Sequence, residues 1–309
     1  METRSPSGAP PTAQPVASPV PRGGLSARIR ASVTIRRLIP TGLALILVDL
    51  VYRVGLRLSP ERMAYAVEGM DAVVGGTPAE SDLTALAVRH VQARGRAWEL
   101  QWRPWALRRI PVDGVEHLAA ARAGGRGLII SFTHLGPTAG WVALGPLIAP
   151  AVLLSKDPMT NEPGPGYWGY QLKHRRTLFP GSGIERMHAT GSAMAMYKLL
   201  AKGGTAMLSA DWPGDRRTEF LGRPVDLADG TAALATKAGA LVMPAAMLPA
   251  GRRWRIQLYA PLDPSDFAGE GELHEALAAI HTAEIRRCPE QLENPRQYWS
   301  DATRYGWFR

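Results

Sequence analysis

The chain has 309 residues, 46% hydrophobic and 20% charged, which is enough apolar material for a substantial core. Its single cysteine, Cys288, excludes a disulfide within the chain and suits a reducing compartment, and beside Pro289 nothing marks it as a nucleophile. The formal net charge of +9, mostly arginine, favours anionic partners; lacking zinc-finger spacing, an RNA-binding aromatic signature or basic-zipper heptads, the chain is expected to meet phospholipid head groups or phosphate-bearing cofactors rather than nucleic acid.

Residues 1–25 are rich in Pro, Ser, Ala and Gly and predict a disordered tail. No apolar stretch follows Met1 directly, as a secretory signal would require. Residues 26–58 form a basic segment: Arg28, Arg30, Arg36 and Arg37 precede Leu38–Leu58, whose apolar run Leu43–Val51 contains Asp49 and is followed by Arg53 and Arg57. A spanning helix needs about 20 mostly apolar residues, and charge within it is costly in lipid. The expectation is therefore an amphipathic helix on an anionic membrane face, with a plain core helix after Pro40 as the alternative.

Residues 59–309 read as one α/β domain. Met63–Val74 and Ser81–Trp98 carry helical spacing around the turn-forming Gly75-Gly76-Thr77-Pro78, and Val115–Arg122 is a further short helix. Short continuous apolar runs then predict buried strands at Gly127–Phe132, Ala151–Ser155, Thr205–Ser209, Ala240–Ala246 and Trp254–Tyr259. Helical stretches at Thr138–Ile148, Ala189–Ala201 and Leu227–Ala238 alternate with them, and Gly271–Arg287 closes the domain. This alternation implies a central, mostly parallel sheet flanked by helices. Met159–Arg176, with Pro163-Gly164-Pro165-Gly166, predicts a lid or acceptor loop.

Two residues stand where such sheets place chemistry. His134 follows the strand 127–132 at once, and Asp211 follows the strand 205–209. An imidazole there can take a proton from a hydroxyl or amine, or can simply hydrogen-bond a loop. A carboxylate at a neighbouring strand end can orient that imidazole. Gly214 with Arg216 and Arg217 predicts an anion-binding turn, with a solvated loop as the alternative. Phe220-Leu221-Gly222-Arg223-Pro224 predicts a tight turn. There is no Gly-x-Ser-x-Gly elbow, His-Glu-x-x-His or Walker A loop.

An ordered set of short motifs carries a resemblance: Trp98-Glu99-Leu100, Val115-Glu116-His117-Leu118, Gly127-Leu128-Ile129-Ile130 into His134-Leu135-Gly136, Ser209-Ala210-Asp211, Phe220-Leu221-Gly222-Arg223-Pro224, Gly230, Leu234-Ala235, Gly239-Ala240, Pro244, and Pro289-Glu290-Gln291-Leu292 with Trp299. Over about residues 40–300 the chain resembles the lysophospholipid-acyltransferase superfamily, most of all the bacterial lipid A late acyltransferases and phosphatidylinositol mannoside acyltransferases. The resemblance implies a general base at His134 and acyl transfer from a co-substrate, acyl-CoA or acyl carrier protein, to a lipid or glycolipid acceptor. It implies no bound cofactor or metal, and a peripheral place on the cytoplasmic face of the cell membrane. Arg176, Trp212, Gly214, Arg216, Arg217 and Arg223 are the expected substrate-binding residues. The family pattern places Asp or Glu after four residues from the histidine, where this chain has Ala139. Either Asp211, Thr138 or a backbone carbonyl orients the ring instead, or catalysis is lost and an acyl-chain-binding relative remains.

Overall fold

A computed structural model describes residues 32–77, 82–155, 174 and 177–295. The tail 1–25, Arg28, Arg30, Arg176, Trp299 and all of 159–176 except His174 lie outside the described residues. Helices α1 (Val33–Arg37), α2 (Thr41–Arg57), α3 (Pro60–Val74), α4 (Leu83–Gln101) and α5 (Pro104–Leu107) open the described chain. Strand β1 (Val112–Asp113) and helix α6 (Val115–Ala123) lead to β2 (Leu128–Phe132). A 3-10 turn (Thr138–Leu144) and α7 (Gly145–Ile148) follow, then β3 (Ala151–Ser155), β4 (Ile184–His188), α8 (Ala193–Ala201) and β5 (Thr205–Ser209). The hairpin β6 (Pro213–Phe220) and β7 (Arg223–Leu227), α9 (Gly230–Ala238), β8 (Leu241–Ala250), β9 (Arg253–Leu258) and α10 (Glu270–Arg287) complete it.

The main sheet has seven strands in the order β1-β9-β8-β2-β5-β3-β4. Neighbours run parallel except β8 and β9, so the sheet is mostly parallel as expected. Central β2 is buried at every position, which explains why it is apolar except at Ser131, whose hydroxyl bonds His281 at 3.0 Å. Its side chains alternate between two cores. Leu128, Ile130 and Phe132 enter a cluster with Leu100, Leu118, Trp141 and Trp254, whereas Ile129 joins Leu200, Ala232, Ala235 and Leu277 on the opposite face. Helices therefore cover both faces.

Several sequence expectations need correction. The helix expected from Ala189 begins at Ala193, preceded by β4, which the sequence reading missed. Ile184–His188 lies at an edge of the sheet, is fully buried only at Ile184 and contains Glu185 and Arg186, so it lacks the apolar run of a central strand. The helix expected from Leu227 begins at Gly230, because Leu227 ends β7. Thr138–Ile148 is a 3-10 turn passing into one short α-turn. Residues 213–220, read as a loop, form a strand paired antiparallel with 223–227. Leu221 and Gly222 make its two-residue turn, with φ of 56° and 80°, the left-handed pair that such a hairpin requires.

Helix α2 explains the charge inside its apolar run. Asp49 points inward, where Oδ1 accepts from Arg96 at 2.5 Å and Oδ2 from Arg252 at 2.9 Å. Its carbonyl accepts from Gln92 at 3.0 Å. The outward stripe is Leu43, Ile46, Leu47, Leu50 and Val54, all exposed, with Val51 and Leu58 beside it. The helix thus presents apolar side chains to the outside and its one carboxylate to the body.

Asp49 is 13% exposed and Arg96 12%, so breaking this pair leaves a buried guanidinium partly unmatched. Asp49→Ala should weaken the docking of α2 by about 3 kcal/mol. Hydrogen–deuterium exchange should quicken over 41–57 and remain slow in β2.

Candidate active site

Strand register brings His134 and Asp211 together. In the parallel pair β2–β5, Phe132 is opposite Ser209, and Ala210 N–H continues the ladder by donating to the Phe132 carbonyl at 2.7 Å. Two residues beyond each matched end stand His134 and Asp211. Asp211 Oδ2 accepts from the His134 backbone N–H at 2.8 Å, and Oδ1 lies 2.8 Å from the ring Nδ1. The Ser209 hydroxyl also donates to Oδ1 and sits 3.2 Å from Nδ1.

The surroundings hold the ring in one orientation. Trp212 meets it edge-on, centroids 5.2 Å apart at 86°. Gly136 turns the chain just beyond, with φ of 71°, and a Cβ there would come within 2.7 Å of Met247. Gly136 N–H donates to the Gln291 carbonyl at 2.8 Å, and the His134 carbonyl accepts from Glu293 N–H at 2.8 Å. His134 is 14% exposed in its side chain, while Asp211 is fully buried. The base candidate thus reaches the surface and its partner does not.

Burial, the largest influence, disfavours the charged imidazolium, but the carboxylates of Asp211 and Glu293 outweigh burial and the opposing Arg94. The His134 pKa is raised above its ordinary 6.5 as a result. Burial likewise pushes the Asp211 pKa up, yet the charge and hydrogen bonds of His134, with that of Ser209, hold it well below the usual carboxylate range. With Asp211 accepting the Nδ1 proton, a neutral ring carries its lone pair on Nε2. Such a ring can accept a proton from a substrate and pass it on.

The other expected site residues are dispersed. Ala139 is buried in the apolar cluster beside Trp141. Gly214 and Arg216 line an open cavity of about 600 Å³ with Pro213, Asp215, Ala228 and Asp229, which His134 does not line. Arg216 pairs with Asp229 at 3.3 Å and Arg217 with Asp226 at 3.4 Å. Successive strand residues point to opposite faces, so these two arginines do not converge on one anion. A Cβ on Gly214 would lie 2.4 Å from Ala228 N, so close strand contact accounts for this glycine. The Arg223 guanidinium reaches towards Gly75, at the end of α3. Glu293 and Arg94 escaped the sequence reading, and only the fold brings them to His134.

No protein-family model and no curated protein matches the chain. Among solved structures, it is similar to the 1-acyl-sn-glycerophosphate (LPA) acyltransferase PlsC from Thermotoga maritima, at 16% identity and a TM-score of 0.37, covering 80% of this chain and 97% of that one. A TM-score of this size carries neither a family nor an activity across to this chain.

The two shifted groups make the pair's stability depend on pH in opposite directions. The Asp211 part is present above the ordinary 3.8 and is lost as pH falls through its depressed folded value; the His134 part is present below 6.5 and is lost as pH rises through its raised folded value. The difference in unfolding free energy between the parent and Asp211→Asn should therefore be greatest between pH 3.8 and 6.5 and shrink above that window. Urea denaturation at a series of pH values measures it. A difference that does not change with pH would show that the pair is not ionic.

Proposed function

We propose that the chain is an acyltransferase that moves an acyl group from a thioester to a hydroxyl or amine of a lipid or glycolipid acceptor. The observation that carries this reading is the His134–Asp211 pair at the carboxyl ends of adjacent parallel strands, with the ring partly exposed. The ordered motifs of the sequence supply the reaction class. In the transfer step, His134 Nε2 takes the acceptor proton as the acceptor oxygen or nitrogen attacks the thioester carbonyl. The carbon–sulfur bond breaks, and the imidazolium returns its proton to the departing thiolate. The products are the acylated lipid and free CoA or acyl carrier protein, with no acyl-enzyme in between.

The contact with Asp211 also favours transfer over a catalytically silent acyl-chain-binding relative. That alternative rests on the missing carboxylate at Ala139, whereas Asp211 supplies one to the same ring. Proton transfer to and from an acceptor needs an imidazole so oriented.

The acceptor's chemistry suits the surface of α2. Among the described residues no helix is long and apolar enough to cross a membrane. The exposed stripe Leu43, Ile46, Leu47, Leu50 and Val54, with Arg53 and Arg57 exposed beside it, supports a peripheral position on an anionic leaflet. The cytoplasmic face of the cell membrane is the location this implies, because the thioester donors are made there.

His134→Ala should lower acyl transfer by about two to four orders of magnitude, followed as thiol release from acyl-CoA or acyl carrier protein with and without lipid acceptor. Transfer within a few-fold of the parent would sink the mechanism, and thiol release independent of acceptor would indicate hydrolysis. For the surface, Leu47→Asp with Leu50→Asp should weaken co-sedimentation with phosphatidylglycerol vesicles by about tenfold or more. Undiminished binding would place the membrane contact elsewhere.

A further inference from the structure

Asp211 holds the Nδ1 side of His134, but a second carboxylate reaches the same loop from the far end of the chain. Residues 134–136 and 291–293 run side by side. Glu293 N–H donates to the His134 carbonyl, Leu135 and Leu292 form an antiparallel bridge, and Gly136 N–H donates to the Gln291 carbonyl. This ladder fixes the Glu293 backbone against the histidine's own backbone. The Glu293 side chain then folds back over the turn. Oε2 accepts from the Thr138 hydroxyl at 3.1 Å, and Oε1 accepts from Arg94 Nη2 at 3.0 Å. It is only 7% exposed. Thr138 directly precedes Ala139, so a carboxylate does arrive at the turn that carries none of its own.

Charged and polar groups surround the ring from several elements. From the end of β5 come Asp211, the Ser209 hydroxyl and the uncharged edge of Trp212. From β2 comes Phe132, with ring centroids 6.4 Å apart. Helix α4 contributes Arg94 and His90; burial, with Arg94, lowers the His90 pKa to about 4, and its Nδ1 donates to the Glu290 carbonyl at 3.0 Å. Helix α10 contributes His281, bonded to the Ser131 hydroxyl at 3.0 Å, whose pKa burial lowers to about 4. Both histidines are neutral at physiological pH. The charged set is then two carboxylates and one guanidinium, which leaves one negative charge that a protonated His134 neutralises.

We propose that Glu293 is a positioning residue for His134, its buried carboxylate stabilising the imidazolium formed when the ring accepts a proton. The proposal rests on the reading of His134 as the base. Asp211 alone would set the tautomer. Glu293 adds a second negative charge in a site with little water, where such charges act strongly. Arg94 holds that carboxylate in place and moderates its field.

The test uses the full chain without substrate. The His134 ring resonances are followed by NMR across pH in the parent, Glu293→Gln, Glu293→Asp and Arg94→Gln. Glu293→Gln keeps one acceptor oxygen, for Thr138, and removes the charge while turning its amide NH2 towards Arg94, so the His134 midpoint should fall by about one pH unit, tenfold in proton affinity. Glu293→Asp should restore part of the shift. Arg94→Gln should move the midpoint up, which gives a reading of opposite sign even if Glu293→Gln does not fold. Steady-state acyl transfer by Glu293→Gln should lose kcat with little change in KM. A midpoint within about 0.2 unit of the parent in Glu293→Gln, or in Arg94→Gln where the first does not fold, overturns the proposal even if activity falls, because the role is then one of packing alone. The expected midpoint shifts in a protein that transfers no acyl group would uphold the role of Glu293 and sink the acyltransferase reading.

Discussion

The site depends on keeping one carboxylate out of water. Asp211 is fully buried, and a lone buried carboxylate is strongly unfavourable. Its stability there comes from the His134 backbone N–H, the His134 ring and the Ser209 hydroxyl. Those donors stand close to it because β2 and β5 are neighbours in parallel register. The sheet is thus more than a support, since its register makes the buried charge tolerable and the charge in turn fixes the ring. The 291–293 segment closes the arrangement from the other side, and Trp254 anchors that segment through Gln291 at 2.8 Å.

Much of this was legible in the sequence where burial is two-sided. β2, β3, β5 and β8 are short apolar runs because helices cover both faces, and their ends pointed directly to His134 and Asp211. Legibility failed where a strand has an exposed side or edge. β4 carries Glu185 and Arg186, and β6 carries Asp215, Arg216, Arg217 and Glu219, so neither looks like a buried strand. Misreading β6 as a turn also joined Arg216 and Arg217 into one anion site, although strand geometry separates them. Glu293 lies 159 residues from His134 along the chain, and no local pattern links the two.

The arginine content takes on a different meaning in the folded chain. A net charge of +9 suggests an outward field, yet several guanidiniums are used internally. Arg103, 1% exposed, donates to Glu99 and to the carbonyls of Arg36 and Ile39, tying the end of α1 to the end of α4. Arg96 secures α2 through Asp49, and Arg94 secures Glu293. A guanidinium suits these junctions because its planar fork offers several donors at once and stays charged when buried. Arg53 and Arg57, by contrast, stay exposed beside the apolar stripe of α2.

The burial of Ala139 also limits what the turn after His134 can hold. The residue is 5% exposed in a cluster with Phe132, Trp141 and Met247. A carboxylate introduced there would replace a methyl group in close-packed apolar surroundings, and the Nδ1 proton it would seek is already engaged by Asp211. Support from β5 leaves the turn after His134 to serve as core. An acid at 139 would lose its water without gaining the ring as a partner, so it would destabilise the cluster while adding nothing to the histidine. Position 139 is thus open to small changes of apolar volume and closed to charge.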